Sequence, residues 1–226
     1  MWIDDDIIGR CHEPIALAVW VPNRTVVVLG SSNDPEVECR QDLCKADGIS
    51  ILKRYGGGGT VVLHPGCVII SCGTWVQQPY ANDVYFKKIN QALIDSLASS
   101  WPALKALTQA GISDVVFDKR KIAGTSLFRS RQYLLYQASI LADPRPELMA
   151  RYLAHPSKEP DYRQGRDHGS FVTGIEHLVS EANTKEIESI LKQSFQKHLR
   201  LVLGDDLIAP QAEQFEHLRK RAGLMP

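Results

Sequence analysis

An excess of charge of one sign and long apolar runs are both missing from this sequence, and its first residues are not those expected of a secretory leader. Lysine plus arginine and aspartate plus glutamate each total 26, so the formal net charge at pH 7 is zero. A zero balance implies no long basic face for nucleic acid, so any anion binding must be local. No apolar run approaches the roughly 18 residues of a spanning helix, and the segment from Met1 to Asp6 is acidic, unlike a signal peptide. We therefore expect a cytoplasmic protein that binds neither nucleic acid nor a membrane.

Cysteine is too scarce and too oddly numbered for a complete disulfide framework. The chain has five cysteines, and an odd set fits a reducing compartment. Cys39 and Cys44 share a CxxxxC spacing with Cys67 and Cys72, but no histidine or third cysteine pair reinforces it. We expect small buried thiols and no metal site.

Hydrophobic residues make up 44% of the 226 residues, enough for one well-buried α/β or α+β domain. The apolar segments bounded by turn residues predict strands, of which the first two are expected to open one sheet: 15–20, 25–30, 68–72 and 133–141. Apolar residues three and four apart predict helices: 82–99, 146–154 and a third that Asn183 caps and that ends at Gly204. A last helix, 211–222, is expected at the surface.

Four consecutive glycines, Gly56 to Gly59, interrupt two apolar runs and predict a strand, a bare loop and a second strand. Such a run suits a backbone with positive φ or a close approach by another group. Its N–H groups can form a concavity for an anion, with Lys53 and Arg54 beside it. A P-loop is excluded because no Gly-Lys-Ser/Thr follows. The plain alternative is a flexible hairpin turn.

A second segment, from Asp114 to Ser126, predicts a strand, a charged turn and another strand that opens into Gly124. This hairpin carries Lys121 at its rim, where the plain alternative is a solvated lysine. The polar loop from Asp161 to Ser170 contains two arginines and has the character of a loop that covers a site.

These two segments carry a family resemblance. The run from Lys53 to Val61 resembles the Arg-Arg-x-Ser/Thr-Gly-Gly-Gly-Ala/Thr-Val signature of lipoate–protein ligases. The run from Lys119 to Ser126 is similar to the second signature, Arg/Lys-Lys-Ile/Val-Ser/Ala-Gly-Ser/Thr-Ala. The chain thus resembles the superfamily of lipoate–protein ligase A, octanoyltransferases and biotin ligase catalytic domains, loosely from Trp20 to Leu178.

The resemblance implies a fold, a domain and an activity. It implies an α/β (α+β) fold with a mixed, largely antiparallel sheet flanked by helices, in which residues 1–204 form the catalytic domain and 205–226 a helical extension of it. It implies activation of lipoate or octanoate by ATP with Mg²⁺, giving an acyl-adenylate. The acceptor is implied to be a lysine of a lipoyl domain, in 2-oxoacid dehydrogenase subunits or the glycine cleavage H protein, with a separate accessory protein as a further partner.

The resemblance also assigns residues to roles. Lys121 takes the position of the lysine that binds the acyl-adenylate, and its ammonium can bridge a carboxyl oxygen and a phosphate. The positions implied to bind substrate or ATP are Lys53, Arg54, Gly57, Gly58, Gly59, Thr60, Asp114, Gly124 and Thr125. Thr60 and Thr125 could equally be plain strand residues, and Asp114 could simply cap the turn.

Two departures from the family pattern bear on the reaction type. The family's His-Gly after the lysine strand is replaced by the run from Tyr136 to Ser139, so the role of that histidine has no counterpart here. Related octanoyltransferases form a thioester on a cysteine in the C-terminal half, whereas the last cysteine here is Cys72. This favours the adenylating ligase over an ATP-independent transferase. A non-catalytic lipoate-binding relative and a biotin ligase stay open as well.

Overall fold

The computed structural model describes residues 3–155, 159–210 and 212–223. Its main element is a six-stranded sheet in which every pair of neighbours is antiparallel. In spatial order its strands are β1 (Ile15–Trp20), β5 (Cys67–Trp75), β9 (Tyr133–Leu141), β8 (Arg120–Ser130), β7 (Asp114–Phe117) and β6 (Thr108–Ala110). The predicted strands at 68–72 and 133–141 are confirmed, as is the hairpin of β7 and β8.

A second, three-stranded sheet corrects two predictions. It consists of β3 (Ser50–Lys53), β2 (Val26–Leu29) and β4 (Val61–Leu63), with β2 in the middle. β2 runs parallel to β3 and antiparallel to β4, so the glycine run passes across β2 rather than closing a hairpin. The strands β1 and β2 belong to different sheets, so the prediction that they open one sheet is wrong.

Two long helices cover one face of the large sheet. α4 (Asn82–Ala98) and α7 (Thr184–Leu203) pack together, and their fully buried residues include Leu93, Leu97 and Phe195. The side chain of Asn183 caps α7 by accepting hydrogen bonds from the N–H groups of Lys185 and Glu186 at 3.1 Å each. The predictions of both helices and of the cap are confirmed.

Short helices cover the remaining surfaces. They are α1 (Ile3–Gly9), α2 (Pro35–Glu38), α3 (Gln41–Ala46), α5 (Pro146–Tyr152), α6 (His168–Phe171) and α8 (Ala212–Arg221). Single 3₁₀ turns lie at 102–106, 161–163, 175–177 and 204–206. Among the described residues, no helix is long and apolar enough to traverse a bilayer.

The N-terminal helix is more deeply embedded than its length suggests. Ile7 and Ile8 of α1 are fully buried, and Leu218 of α8 joins their cluster. Asp4 is also fully buried. It accepts hydrogen bonds from the Tyr55 N–H at 3.0 Å and from the Gln137 side chain at 2.5 Å. α1 therefore supports the backbone that enters the glycine run.

The space between the two sheets is bridged by one apolar cluster. Val26, Val28 and Leu63 of the small sheet pack with Cys67, Ile69 and Leu141 of the large sheet and with Phe171 of α6. Trp20, Ile69, Ser139 and Gly124 form one row of paired positions across β1, β5, β9 and β8. Because residues paired across antiparallel strands share a face, this row lies on one face of the sheet.

Candidate active site

A cavity of about 1110 Å³ lies where the glycine run, the large sheet and the segment 159–171 meet. One part of its wall is apolar, formed by Trp20, Val28, Val61, Leu63, Ile69 and Phe171. The polar part includes Ser32, Asn33, Asp34, Arg54, Thr60, Ser113, Asp114, Lys121, Thr125, Ser126, Gln137 and Ser139. A cavity with an apolar wall and a few converging polar groups suits a ligand with a hydrocarbon tail and a charged end.

The Arg54 side chain holds the backbone of the glycine run in place. Its side chain is buried, at 9% exposure. The Nη2 group donates to the carbonyl oxygens of Gly57 at 2.7 Å and Gly59 at 2.9 Å. Burial lowers the pKa of Arg54 to about 10, while the Asp4 carboxylate acts in the opposite direction. The guanidinium therefore remains charged at neutral pH, and its Nε has no hydrogen-bond partner among the described residues.

The glycines of the run differ in whether the structure leaves room for a side chain at their positions. Gly58 has φ +92°, in the region that disfavours other residues. A Cβ on Gly56 would lie 2.7 Å from the Ser126 hydroxyl, whereas one on Gly57 or Gly59 would meet no described atom within 4 Å. The run is thus fixed against β8 at its start and open at Gly57 and Gly59.

Thr60 and Asn33 form a polar pair at the end of the run. The Asn33 side-chain amide donates to Thr60 Oγ1 at 3.0 Å. Asn33 was not predicted as a site residue, although it precedes Asp34, whose carboxylate caps α2 by accepting from the Glu36 N–H. The pair joins the turn after β2 to the start of β4.

Lys121 projects into the cavity from the start of β8. Its Nζ forms an ion pair with Asp114 Oδ1 at 2.7 Å, and the Tyr162 hydroxyl donates to Asp114 Oδ2 at 2.8 Å. A Cβ on Gly124 would lie 3.0 Å from Lys121 Nζ, so the glycine gives this side chain its space. The Thr125 hydroxyl donates to the Ser113 carbonyl at 2.7 Å, which ties β8 to the residue before Asp114.

Eight of the ten predicted site residues line this cavity: Arg54, Gly58, Gly59, Thr60, Asp114, Lys121, Gly124 and Thr125. Within the described part of the chain, Lys53 and Gly57 are not among its lining residues, and the Lys53 side chain is exposed. The polar segment predicted to lie near a site contributes Asp161, Tyr162 and Arg163 to the wall. Tyr162 was missed because nothing local in the sequence indicates its contact with Asp114.

The five cysteines are free and buried, and none of these described side chains lines the cavity. Burial raises the pKa of Cys67 and of Cys72 to about 12 and that of Cys39 to about 11. Burial also raises the pKa of Cys11 and Cys44. Reactive cysteines need a lowered thiol pKa and access to solvent, and the burial of these thiols opposes both. Cys11, near the start of the chain, is 1% exposed.

Solved structures show which known fold this chain has. Solved structures with this fold include a bi-partite lipoate protein ligase from Thermoplasma acidophilum, from a structural analysis of that ligase and its E2 lipoyl domain. Its TM-score is 0.71 and its sequence identity 19%, and the match covers 98% of this chain and 90% of that one. A putative lipoate protein ligase from T. acidophilum with bound lipoic acid has TM-score 0.70 and 18% identity, covering 96% and 86% of the two chains. A lipoate-protein ligase A bound with ATP has TM-score 0.69 and 20% identity, covering 96% and 85%. The chain therefore has the fold of a lipoate–protein ligase catalytic domain.

The family follows from the sequence match. The model of the lipoyl protein ligase A/B catalytic domain matches residues 5–196, so the chain belongs to this family and the predicted superfamily is confirmed. Lipoate–protein ligase 1 of Plasmodium falciparum (isolate 3D7) is 24% identical over 82% of this chain and 40% of its own length. Lipoate-protein ligase A of Blochmanniella floridana is 23% identical over 87% of this chain and 57% of its own. The chain thus spans about half the length of these curated relatives.

Proposed function

We propose that this protein activates lipoate or octanoate with ATP and transfers the acyl group to a lysine of a lipoyl domain. The observation that carries the proposal is the position of Lys121, whose ammonium lines the same cavity as the glycine run and an apolar wall. An acyl chain fits the apolar wall, and its carboxylate then meets a cation and backbone N–H groups. Family membership and the lipoic acid bound to a structural neighbour support this assignment.

The chemistry has two balanced steps. A carboxylate oxygen of the acid attacks the α-phosphorus of ATP, and pyrophosphate leaves with the bonding electron pair. The acceptor lysine, as the free amine, then attacks the carbonyl carbon, the carbon–oxygen bond to AMP breaks, and the nitrogen loses a proton to give the amide. Both steps develop negative charge on oxygen, so fixed donors and cations accelerate them.

The site residues divide this work. Lys121 is proposed to bridge the carboxyl oxygen and the α-phosphate, and the N–H groups of Gly57, Gly58 and Gly59 to face the phosphate. Arg54 keeps the loop in shape through two carbonyls and adds positive potential. Asp114 and Gly124 set the position of the lysine. Lys53, Thr60 and Thr125 complete the proposed binding residues, the first as an exposed cation near the loop.

ATP is proposed as the second substrate, supported by the neighbour solved with ATP. Mg²⁺ usually reaches such sites on the phosphates and needs only one or two carboxylates. In the described residues no group of three or more histidine, cysteine or acidic ligands is assembled, so we propose that any Mg²⁺ is held mainly by phosphate and water. Free thiols suit a reducing compartment, and we propose the cytoplasm.

The acceptor is proposed to be a lipoyl domain, from a 2-oxoacid dehydrogenase subunit or the H protein. This rests on the neighbour studied with its E2 lipoyl domain. That neighbour is also bi-partite, which supports the proposal that a separate accessory protein takes part.

The test is to incubate the purified protein with ATP, lipoate and a lipoyl domain and to measure the mass of the domain. A ligase adds one lipoyl group and releases pyrophosphate only when ATP is present. Transfer from octanoyl-acyl carrier protein without ATP would identify the protein as a transferase. Binding of lipoate without turnover would identify it as a non-catalytic relative. Replacing lipoate by biotin in the same assay tests for a biotin ligase.

A further inference from the structure

The proposed catalytic lysine is one end of a chain of three side chains. Lys121 Nζ contacts Asp114 Oδ1 at 2.7 Å, and the Tyr162 hydroxyl donates to Asp114 Oδ2 at 2.8 Å. The Lys121 and Asp114 side chains are 23% and 14% exposed, so water screens their attraction only partly. Each carboxylate oxygen therefore has a different partner.

Tyr162 is packed on the far side of Asp114. Its ring lies 5.3 Å from the Phe171 ring, and a Cβ on Gly111 would lie 3.5 Å from its Cε1 atom. Arg166 Nη2 donates to the carbonyl oxygens of both Tyr162 and Lys119, at 2.7 and 3.0 Å. The segment that carries the tyrosine is thus attached to the turn that carries the lysine.

The tyrosine is a donor throughout the neutral pH range. Burial raises the pKa of Tyr162, and the Asp114 carboxylate raises it further. A hydroxyl that donates to a carboxylate forms a charge-assisted hydrogen bond. Such a bond withdraws part of the negative charge that the carboxylate would otherwise direct at a neighbouring cation.

We propose that Tyr162 is a positioning residue: by donating to Asp114 it limits how tightly that carboxylate holds Lys121, so that the ammonium is aimed but remains available to a ligand anion. The inference rests on the proposed function for its catalytic consequence. Without the hydroxyl, both oxygens of Asp114 would compete for the ammonium. A carboxylate and a phosphate entering the cavity would then have to displace a stronger ion pair.

Tyr162→Phe is the informative variant because it keeps the ring contacts and removes one donor. The chain offers a matched control in Tyr152, whose hydroxyl donates to Asp47 Oδ2 at 2.9 Å while Arg151 pairs with the same carboxylate at 2.6 Å. Among the described residues, none of these three lines the cavity. Tyr152→Phe therefore removes a tyrosine donor from another cation–carboxylate pair, at a distance from the cavity.

The first measurement needs neither acid nor ATP. Acetic anhydride at limiting dose labels lysines in the free protein, and peptide mass spectrometry gives the rate at Lys121 relative to the exposed Lys105. In Tyr162→Phe we expect acetylation of Lys121 to slow on the order of fivefold, which is the usual effect of one hydrogen bond. In Tyr152→Phe the relative rate should equal that of the wild type. An unchanged or faster rate in Tyr162→Phe, or an equal change in the control, overturns the inference.

The second measurement is acid-dependent pyrophosphate exchange with lipoate and ATP. Tyr162→Phe should lower kcat on the order of tenfold and change KM less than about twofold, and Asp114→Asn should abolish this difference. If Tyr162→Phe lowers kcat by the same factor in the Asp114→Asn background, Tyr162 does not act through Asp114. If the wild type exchanges no pyrophosphate with any acid, the proposed function fails, while the acetylation rates still decide the positioning role.

Discussion

Lys121 is the residue on which the proposed chemistry depends most. Lys121→Ala is expected to reduce pyrophosphate exchange by at least about 10²-fold, because a fixed charge at a developing anion is lost. Stability should fall by about 1–3 kcal/mol, because the Asp114 side chain is only 14% exposed and loses its cation while it keeps the hydrogen bond from Tyr162. Lys121→Arg should restore activity only in part, since a planar guanidinium does not replace a compact ammonium.

The matched control for this prediction is Lys88→Ala. Lys88 also forms an ion pair, with Asp206, and it belongs to α4. Exchange kinetics of the three variants beside the wild type, together with their thermal unfolding, provide the measurement. Near-normal exchange in Lys121→Ala removes this lysine from the mechanism.

Gly58 is the second residue whose replacement has a predictable result. A valine there must adopt φ +92° and place its Cβ 3.2 Å from the Arg54 guanidinium. We expect lipoate and ATP affinity to be lost. The stability loss should resemble that of Gly204→Val, where φ is also positive, at +48°, and no described atom lies within 4 Å of the Cβ position, at about 1–3 kcal/mol.

Calorimetric binding and chemical denaturation of both variants test this expectation. Equal ligand affinity in Gly58→Val and the wild type would reduce the glycine run to a turn. Gly30 is unsuitable as a control, because its Cβ would lie 2.1 Å from the Gly58 carbonyl oxygen.

Residue-level prediction from the sequence had a clear limit. Lys121 and the glycines could be proposed as site residues because they belong to local patterns of consecutive residues. Tyr162 and Asn33 were not, because their partners are 48 and 27 positions away in the chain. Only the topology of the fold brings such pairs together, and it cannot be read from local sequence patterns.

At the scale of elements, α1 is predicted to support the glycine run. Asp4→Ala removes a fully buried acceptor and leaves the Tyr55 N–H and the Gln137 amide without it. We expect a stability loss of about 1–3 kcal/mol and weaker ATP binding, because Tyr55 precedes Gly56. Asp6→Ala, an exposed position on the same helix, is the control. Denaturation and calorimetry measure both effects, and equal results for the two variants would contradict a supporting role.

Helices and strands were predictable where the local sequence pattern determines them. The periodicity of α4 and α7 and the apolar run of β9 each bury one defined set of side chains, and all three were found. The partners of β2 were not, because four consecutive valine and leucine residues, all buried, fit the middle of either sheet. Which strand lies beside another depends on contacts that close only in the complete fold.

For the whole molecule, the decisive prediction concerns mechanism. A variant with all five cysteines replaced by alanine should still transfer the acyl group to a lipoyl domain, and no acyl-enzyme thioester should be trapped. The thiols are buried, and burial raises their pKa, so they are poor nucleophiles. Core packing will suffer, so transfer should be assayed well below the unfolding temperature of the variant.

The outcome that contradicts this prediction is specific. Acylated wild-type enzyme that survives denaturation, releases its acyl group with hydroxylamine and disappears with a single cysteine replacement would establish the transferase. A cysteine-free variant that folds, by circular dichroism, but transfers nothing would point the same way. Wild-type enzyme denatured during turnover provides the control sample.

The small sheet has a further consequence for the glycine run. Residues 54–60 connect β3 to β4, and both strands pair with the same strand, β2, while Arg54 holds two carbonyls of the run. The two ends of the loop therefore cannot separate. The conformational entropy lost on closing the loop is lost when the protein folds, before any ligand binds. Preorganisation of this kind leaves less disorder to be lost when a nucleotide binds. A run of four glycines, the most flexible composition a chain can have, is thus restrained at both ends and at two of its carbonyl groups before any ligand binds.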